Sequence, residues 1–202
     1  MEIEIKLGPV NRETAARVFA DPVLAPCLNA GTMMNMHTVY YDDPARSLRR
    51  DRITLRLRKE GTRSVCTLKT GSIDEAGIAT RLEIEQEADN INQGLAALMT
   101  HPELPQELKP RLLTGSFEPT CGARFVRREN RVTMEDVVFL LSWDQGELYA
   151  GENTAPLSEI ELEFCSGSVE ALVREARRLM EVYGLPFCKD SKQKRAAALE
   201  GK

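Results

Sequence analysis

The chain is poor in aromatics: they make up 5% of its 202 residues, with a single tryptophan. So small a π surface leaves little for stacking nucleic-acid bases. A basic excess is also missing, since 27 Lys and Arg are set against 31 Asp and Glu for a net charge of −4. A nucleic-acid binder normally presents a basic domain. No apolar run approaches the length of a membrane span, and the opening MEIEIKL has neither the basic start nor the apolar stretch of a signal peptide. These absences set the expectation of a cytoplasmic protein with neither a nucleic acid nor a membrane as partner. The five cysteines (Cys27, Cys66, Cys121, Cys165, Cys188) are odd in number and form no C-x-x-C pair, so neither a disulfide framework nor a zinc site is indicated. Cys188, beside Lys189, is the one position where a lowered thiol pKa is conceivable, and nothing in the sequence pairs it with a base. The two histidines, His37 and His101, read as structural or exposed.

What is present is a balance of 42% hydrophobic and 29% charged residues, which suits one globular domain over 1–202 with a sizeable core. In MEIEIKL, strand alternation puts Glu2, Glu4 and Lys6 on one face and Ile3, Ile5 and Leu7 on the other. The same grammar recurs in TLRLR (Arg56, Arg58), TLK (Lys69), TRLEIEQE (Arg81, Glu83, Glu85, Glu87) and SEIELEF (Glu159, Glu161, Glu163). One such strand alone reads as a sheet with a solvated face and ordinary cross-strand ion pairs. Five strands of the same parity point instead to a shared charged interior.

Between these strands, Asn11 is a candidate cap for a short helix, Gly61 marks a hairpin, and Asn92 to Thr100 has helical spacing. Residues 90–115 form a helical annex with proline-punctuated turns, and Gly146 reads as lying near a turn. Ser168 to Tyr183 carries apolar residues at helical spacing behind a serine cap and before Gly184, so 168–202 is read as a C-terminal helix and tail. Its mixed charges read as a solvated face, and Trp143, Tyr40 and Tyr41 as packing between strands and helices. Roughly eight strands joined by hairpins, without a βαβ rhythm, predict a mainly β (α+β) fold: an antiparallel sheet that can close on itself as a barrel, with a few flanking helices.

Charged faces inside such a barrel must be paired, because unpaired buried charge is too costly. Inward Lys6, Arg56, Arg58, Lys69 and Arg81 suit a polyanion, since arginine forks match phosphate oxygens. Inward Glu2, Glu4, Glu161 and Glu163 would repel it unless hard divalent cations sit between. Acids, bases and a tube together imply a metal-bound polyphosphate.

At this point MEIEIK resembles the E-x-E-x-K signature of the CYTH superfamily, the triphosphate tunnel metalloenzymes, and the resemblance implies a closed eight-stranded antiparallel β-barrel forming a tunnel. Further matches follow in order: YYDDP-x-x-x-L, LRLRKEG, CTLKTG, TRLEIEQE, RFVRR, SWDQGEL, SEIELEF and SKQKR. They are most similar to the bacterial inorganic triphosphatase branch. The resemblance implies Mg²⁺ or Mn²⁺ held by Glu2, Glu4, Glu161 and Glu163, with Asp144 and Glu159 as second-tier acids that order a metal, a water or a base. It implies phosphate binding by Lys6, Arg56, Arg58, Lys69 and Lys192, with Arg81, Glu83, Glu85 and Asp144 also facing the substrate. Glu2, Glu4, Lys6, Arg56, Arg58, Glu161 and Glu163 form the implied catalytic set. Within RFVRR, Arg127 is favoured for the lumen; strand parity makes Arg124 and Arg128 the alternative, and one β-bulge exchanges the two sets.

The implied activity is hydrolysis of inorganic triphosphate, a small-molecule substrate. The alternatives are a class IV adenylate cyclase or a nucleoside or thiamine triphosphatase on the same fold, and a module that binds polyphosphate or a nucleotide without turnover. The oligomeric state, monomer or homodimer, is not legible.

Overall fold

The computed structural model describes residues 2–73 and 79–201; the side chains at 72, 73 and 79–81 also lie outside the description. Eight strands are present among the described residues: β1 (Glu2–Leu7), β2 (Thr32–Asp42), β3 (Ile53–Glu60), β4 (Arg63–Ile73), β5 (Ala79–Glu87), β6 (Glu118–Thr133), β7 (Val137–Ala150) and β8 (Asn153–Gly167). Their order around the sheet is β1-β5-β4-β3-β2-β6-β7-β8, every pairing is antiparallel, and β1 pairs with β8 to complete the circuit. Six helices accompany them: α1 (Arg12–Phe19), α2 (Ser47–Arg50), α3 (Ile91–Met99), α4 (Lys109–Thr114), α5 (Val169–Tyr183) and α6 (Lys192–Ala197).

Local chemistry sets these boundaries. Asn11, Asn90, Ser168 and Ser191 each turn a side-chain oxygen to an otherwise unpaired amide in the first turn of α1, α3, α5 and α6. Gly184 ends α5 in the left-handed region, and Gly61 takes the same conformation in the β3–β4 hairpin. The short α2 has no counterpart in the sequence reading; its amides at Leu48 and Arg49 are capped by the Asp42 carboxylate at 2.9 and 3.0 Å.

Gly146 is a correction. It lies inside β7, not at a turn, and a Cβ there would sit 2.1 Å from the Arg124 carbonyl oxygen on β6. Close approach of the neighbouring strand requires the glycine, whereas the β7–β8 turn falls at Gly151.

The barrel is apolar outside, and inside it a polar, charge-lined cavity adjoins an apolar patch covered by the C-terminal segment. On one flank Ile5, Leu7, Phe139, Leu141, Ile160 and Leu162 are buried under α1 and α5 through Val18, Leu172 and Leu179. On another, Leu55, Leu68 and Ile84 are buried under α2, α3 and α4 through Leu48, Leu98 and Leu112. Each leucine buried in this way contributes roughly 1.5–3 kcal/mol. These two apolar layers orient the opposite parity of β1, β3, β4, β5 and β8 inward. A third cluster joins Met36, Tyr40, Phe125 and Leu148 of the strands to Ala196 and Leu199, so the C-terminal segment containing α6 packs against the inner face.

Two further readings are revised. Tyr40, buried at 3% exposure, packs towards α6 as expected but also lines the interior, which the sequence reading did not assign to it. The charges of α5 are not all solvated: Glu175 is buried against Arg178, whose guanidinium also grips Asp21. Trp143 packs on the outer cluster and donates its indole N–H to Ser158 Oγ at 3.1 Å. No helix among the described residues is long and apolar enough to cross a membrane.

Candidate active site

Strand register builds the site. Tyr40 and Thr38 of β2 lie opposite Arg56 and Arg58 of β3; Thr54 of β3 lies opposite Lys69 of β4, and Lys69 opposite Glu83 of β5. On the far side Arg127 faces Asp144, Asp144 faces Glu159, Lys6 faces Glu161, and Glu4 faces Glu163. Period-two alternation carries all of these side chains into one cavity of about 140 Å³ and its immediate wall. Since a water takes about 30 Å³ of liquid, that space suits a few waters or a small anion.

Two ionic arcs line it. The first runs through β3, β4 and β5: Lys69 Nζ lies 2.7 Å from Glu2 and 2.8 Å from Glu83, and Arg56 lies 3.2 Å from Glu83 and 3.6 Å from Glu85. Arg58 meets Glu60 and lies 3.7 Å from Glu85. Burial, followed by the neighbouring Arg56 charge, pushes the Arg58 guanidinium below its ordinary value.

The second arc is centred on Lys192 of α6. Its ammonium lies 2.7 Å from Asp144, 2.5 Å from Glu159 and 2.8 Å from Glu161. Arg127 donates from Nε and Nη2 to the two oxygens of Asp144, both at 2.7 Å, and from Nη2 to Glu161 at 2.5 Å. Burial opposes ionisation here, yet Lys192, Arg127 and Lys6 hold the Glu161 carboxyl well below the usual carboxylate range. Asp144, Glu159 and Glu161 are close enough together to ligate one ion, and Lys192 sits among them. Both oxygens of Asp144 are engaged by Arg127 and Lys192, and Asp144 stands behind the cavity lining.

A four-carboxylate patch lies across β1 and β8. Glu4 and Glu163 face each other directly, Glu2 precedes Glu4 on the same parity, and Glu161 precedes Glu163. Like charges opposed in this way are destabilising. Burial first, then Glu2, Glu161 and Glu4, push the Glu163 carboxyl up to about 7. Glu2 is raised by burial and by Glu4, whereas Glu4, although buried, is held down to about 2 chiefly by Lys6. Glu2 Oε2 is buried with no hydrogen-bond partner among the described residues. An all-oxygen donor set with excess negative charge and an orphaned buried oxygen fits a hard divalent cation.

Of the positions expected from sequence, Glu2, Glu4, Lys6, Arg56, Arg58, Lys69, Glu83, Glu85, Arg127, Glu161, Glu163 and Lys192 all line this one cavity. Arg81 pairs with Glu2 and Gly71 in the backbone ladder, but its side chain lies outside the described residues. Arg124 and Arg128 point outward, over the rings of Tyr149 and Phe19 respectively, each at 4.2 Å. Thr38, Tyr40, Thr54, Phe125, Ser191 and Gln193 also line the cavity without having been singled out. Parity within β2, β3 and β6 was the signal that could have found the first four. Outside the cavity, burial pushes the Cys188 thiol up, and His37 is exposed, sharing a hydrogen bond with the Tyr149 hydroxyl at 3.0 Å.

Among known protein families, the CYTH domain matches residues 1–196. The chain belongs to the CYTH family. An inorganic triphosphatase of Haemophilus influenzae is 31% identical over 168 residues, which is 81% of this chain and 45% of that protein; this CYTH chain thus spans about half the length of the curated relative. Among solved structures, one from Hippeastrum, described as an adenylyl cyclase candidate with a dominant triphosphatase activity, superposes with a TM-score of 0.69 at 21% identity, covering 98% of this chain and 96% of that one. The PH1012 protein of Pyrococcus horikoshii gives a TM-score of 0.56 at 19% identity over 96% and 99% of the two chains. At these identities the two structures establish that the CYTH fold is shared.

Proposed function

We propose that this chain is a divalent-metal-dependent triphosphatase that hydrolyses inorganic triphosphate to diphosphate and phosphate inside the barrel, which serves as a tunnel open to the substrate. The observation that carries this reading is the coexistence, in one small buried cavity, of six cationic side chains (Lys6, Arg56, Arg58, Lys69, Arg127, Lys192) and the β1–β8 carboxylate patch. The relationship to an inorganic triphosphatase supports the choice of substrate.

Glu2, Glu4, Glu161 and Glu163 would hold Mg²⁺ or Mn²⁺, which supplies positive charge against phosphate oxygens and so offsets the carboxylates. Arg56, Arg58 and Lys69 take the phosphate oxygens on one wall, and Lys6, Arg127 and Lys192 on the other. Asp144 and Glu159 hold Arg127 and Lys192 in place for that task. A water oxygen bonds to the terminal phosphorus while the bridging P–O bond breaks, so that diphosphate leaves with the bond's electron pair. A proton of the water passes to a cavity carboxylate and on to solvent. Preorganised cations stabilise charge spread over the equatorial oxygens of a loose transition state without having to reorganise. No covalent intermediate is required, and in this reading the protein works in the cytoplasm with no macromolecular partner.

Substituting Glu4→Gln tests this reading, because it keeps shape and removes one ligand charge. We expect Mg²⁺- or Mn²⁺-dependent turnover to fall by at least about a hundredfold with an unchanged circular-dichroism spectrum. Turnover like that of the wild type would refute the assignment.

A further inference from the structure

Adjoining the lumen is a second cavity of about 660 Å³, which shares Thr54, Lys69 and Ser191 with the first. Most of its remaining wall is cationic: Arg49, Arg50 and Arg52 from α2 and its connection to β3, and Lys189 and Lys194 around the start of α6. Asp190 is the one acid in the lining among the described residues, and Lys194 pairs with it at 2.6 Å. Arg49 is answered by Glu200 at 3.3 Å. Among the described residues, Arg50, Arg52 and Lys189 make no ion pair. Arg52 also sits in the left-handed region at φ +59°, which is costly for a residue with a Cβ. It stands at the mouth end of β3, whose Thr54, Arg56 and Arg58 line the lumen, so basic residues continue from the interior to the opening.

Unpaired cations next to a site for a phosphate chain are positioned for more of the same chain. Among the described residues the lining holds no aromatic ring to stack a base; its apolar members are Gly71, Ala197 and Ala198. We infer that this vestibule binds the phosphates beyond the third of a linear polyphosphate whose end lies in the lumen. Longer inorganic chains are then substrates alongside triphosphate. This inference rests on the triphosphatase reading above and extends it.

The test is the triple substitution Arg50→Ala/Arg52→Ala/Lys189→Ala, at exposed positions where the fold is not at risk. KM is measured for tripolyphosphate, a medium-chain polyphosphate and ATP, and calorimetric titration with the medium chain reads binding without turnover. Loss of three phosphate contacts at the surface is expected to raise the medium-chain KM about tenfold relative to that for tripolyphosphate, and to weaken its binding by the same factor. An unchanged ratio, or a wild type that turns over tripolyphosphate but neither binds nor cleaves the longer chain, would overturn the inference. An ATP KM that rises in step with that of the long chain would overturn it too, by assigning the vestibule to nucleotides. Failure of the triphosphatase reading shows separately, as absence of metal-dependent phosphate release from tripolyphosphate by the wild type. In that case tenfold weaker medium-chain binding by the triple variant still supports the vestibule, and equal binding overturns it.

Discussion

Replacing Arg127 with methionine tests whether the second ionic arc holds the site together. Asp144 is 0% exposed and receives both of its parallel 2.7 Å hydrogen bonds from Arg127, leaving Lys192 as its other cationic partner among the described residues. Glu161 loses its 2.5 Å contact in the same step. Removing one member of a buried pair strands the other charge and costs about 3–5 kcal/mol. At about 2–4 °C per kcal/mol for a domain of this size, the lower figure corresponds to a drop in Tm of about 9 °C. Urea unfolding of wild type and Arg127→Met, with thermal melts alongside, reads the loss directly. The double variant Arg127→Met/Asp144→Leu removes the stranded carboxylate and is expected to recover most of the stability but none of the turnover, because the lumen cation is still missing. A single variant within about 0.5 kcal/mol of wild type would refute the reasoning, since that is the range of an ordinary surface change.

Other expectations follow from the same contacts. Asp21 accepts hydrogen bonds from Arg178 at 2.8 and 3.0 Å and from the Tyr183 hydroxyl at 2.6 Å; although burial opposes it, these hold its carboxyl down to about 2 from an ordinary 3.8. A depressed carboxyl stabilises the fold above its unfolded pKa, and that contribution is lost as pH falls from about 3.8 through about 2. Asp21→Asn should therefore lose about 1–2 kcal/mol at neutral pH, after allowance for solvent screening, and flatten the acid limb of the stability curve. An acid limb identical to that of the wild type would contradict this. Gly146→Ala should cost about 1–3 kcal/mol in urea unfolding, because its Cβ has nowhere to go against the Arg124 carbonyl. An unchanged midpoint would show that β6 and β7 part easily.

Alternation was legible in sequence because the side-chain period of a strand is fixed and the apolar partners of each charged set were visible. Ile3 and Ile5 on β1, or Leu55 and Leu57 on β3, left little choice for Glu4 or Arg56. Arg127 was harder, since RFVRR puts arginine on both parities; the packing of Arg128 on Phe19, a contact distant in sequence, accompanies the inward turn of Arg127. Gly146 misled for a related reason: glycine marks turns in isolation, and only the backbone of β6 shows that it is needed mid-strand. The docking of α6 left almost no trace, because a six-residue helix carries too little periodicity to read, although Lys192 itself was found through its motif. Tyr40 does pack towards α6, but its parity with Thr38, which also turns it to the cavity, was not weighed.

Phosphate release measured in parallel from tripolyphosphate, ATP and thiamine triphosphate, each with Mg²⁺, Mn²⁺ or EDTA and with cyclic AMP monitored in the ATP sample, bears most directly on the central claim. The account predicts release chiefly from tripolyphosphate, dependent on either metal and abolished by EDTA. Cyclic AMP from ATP, or no release from any of the three, would contradict it.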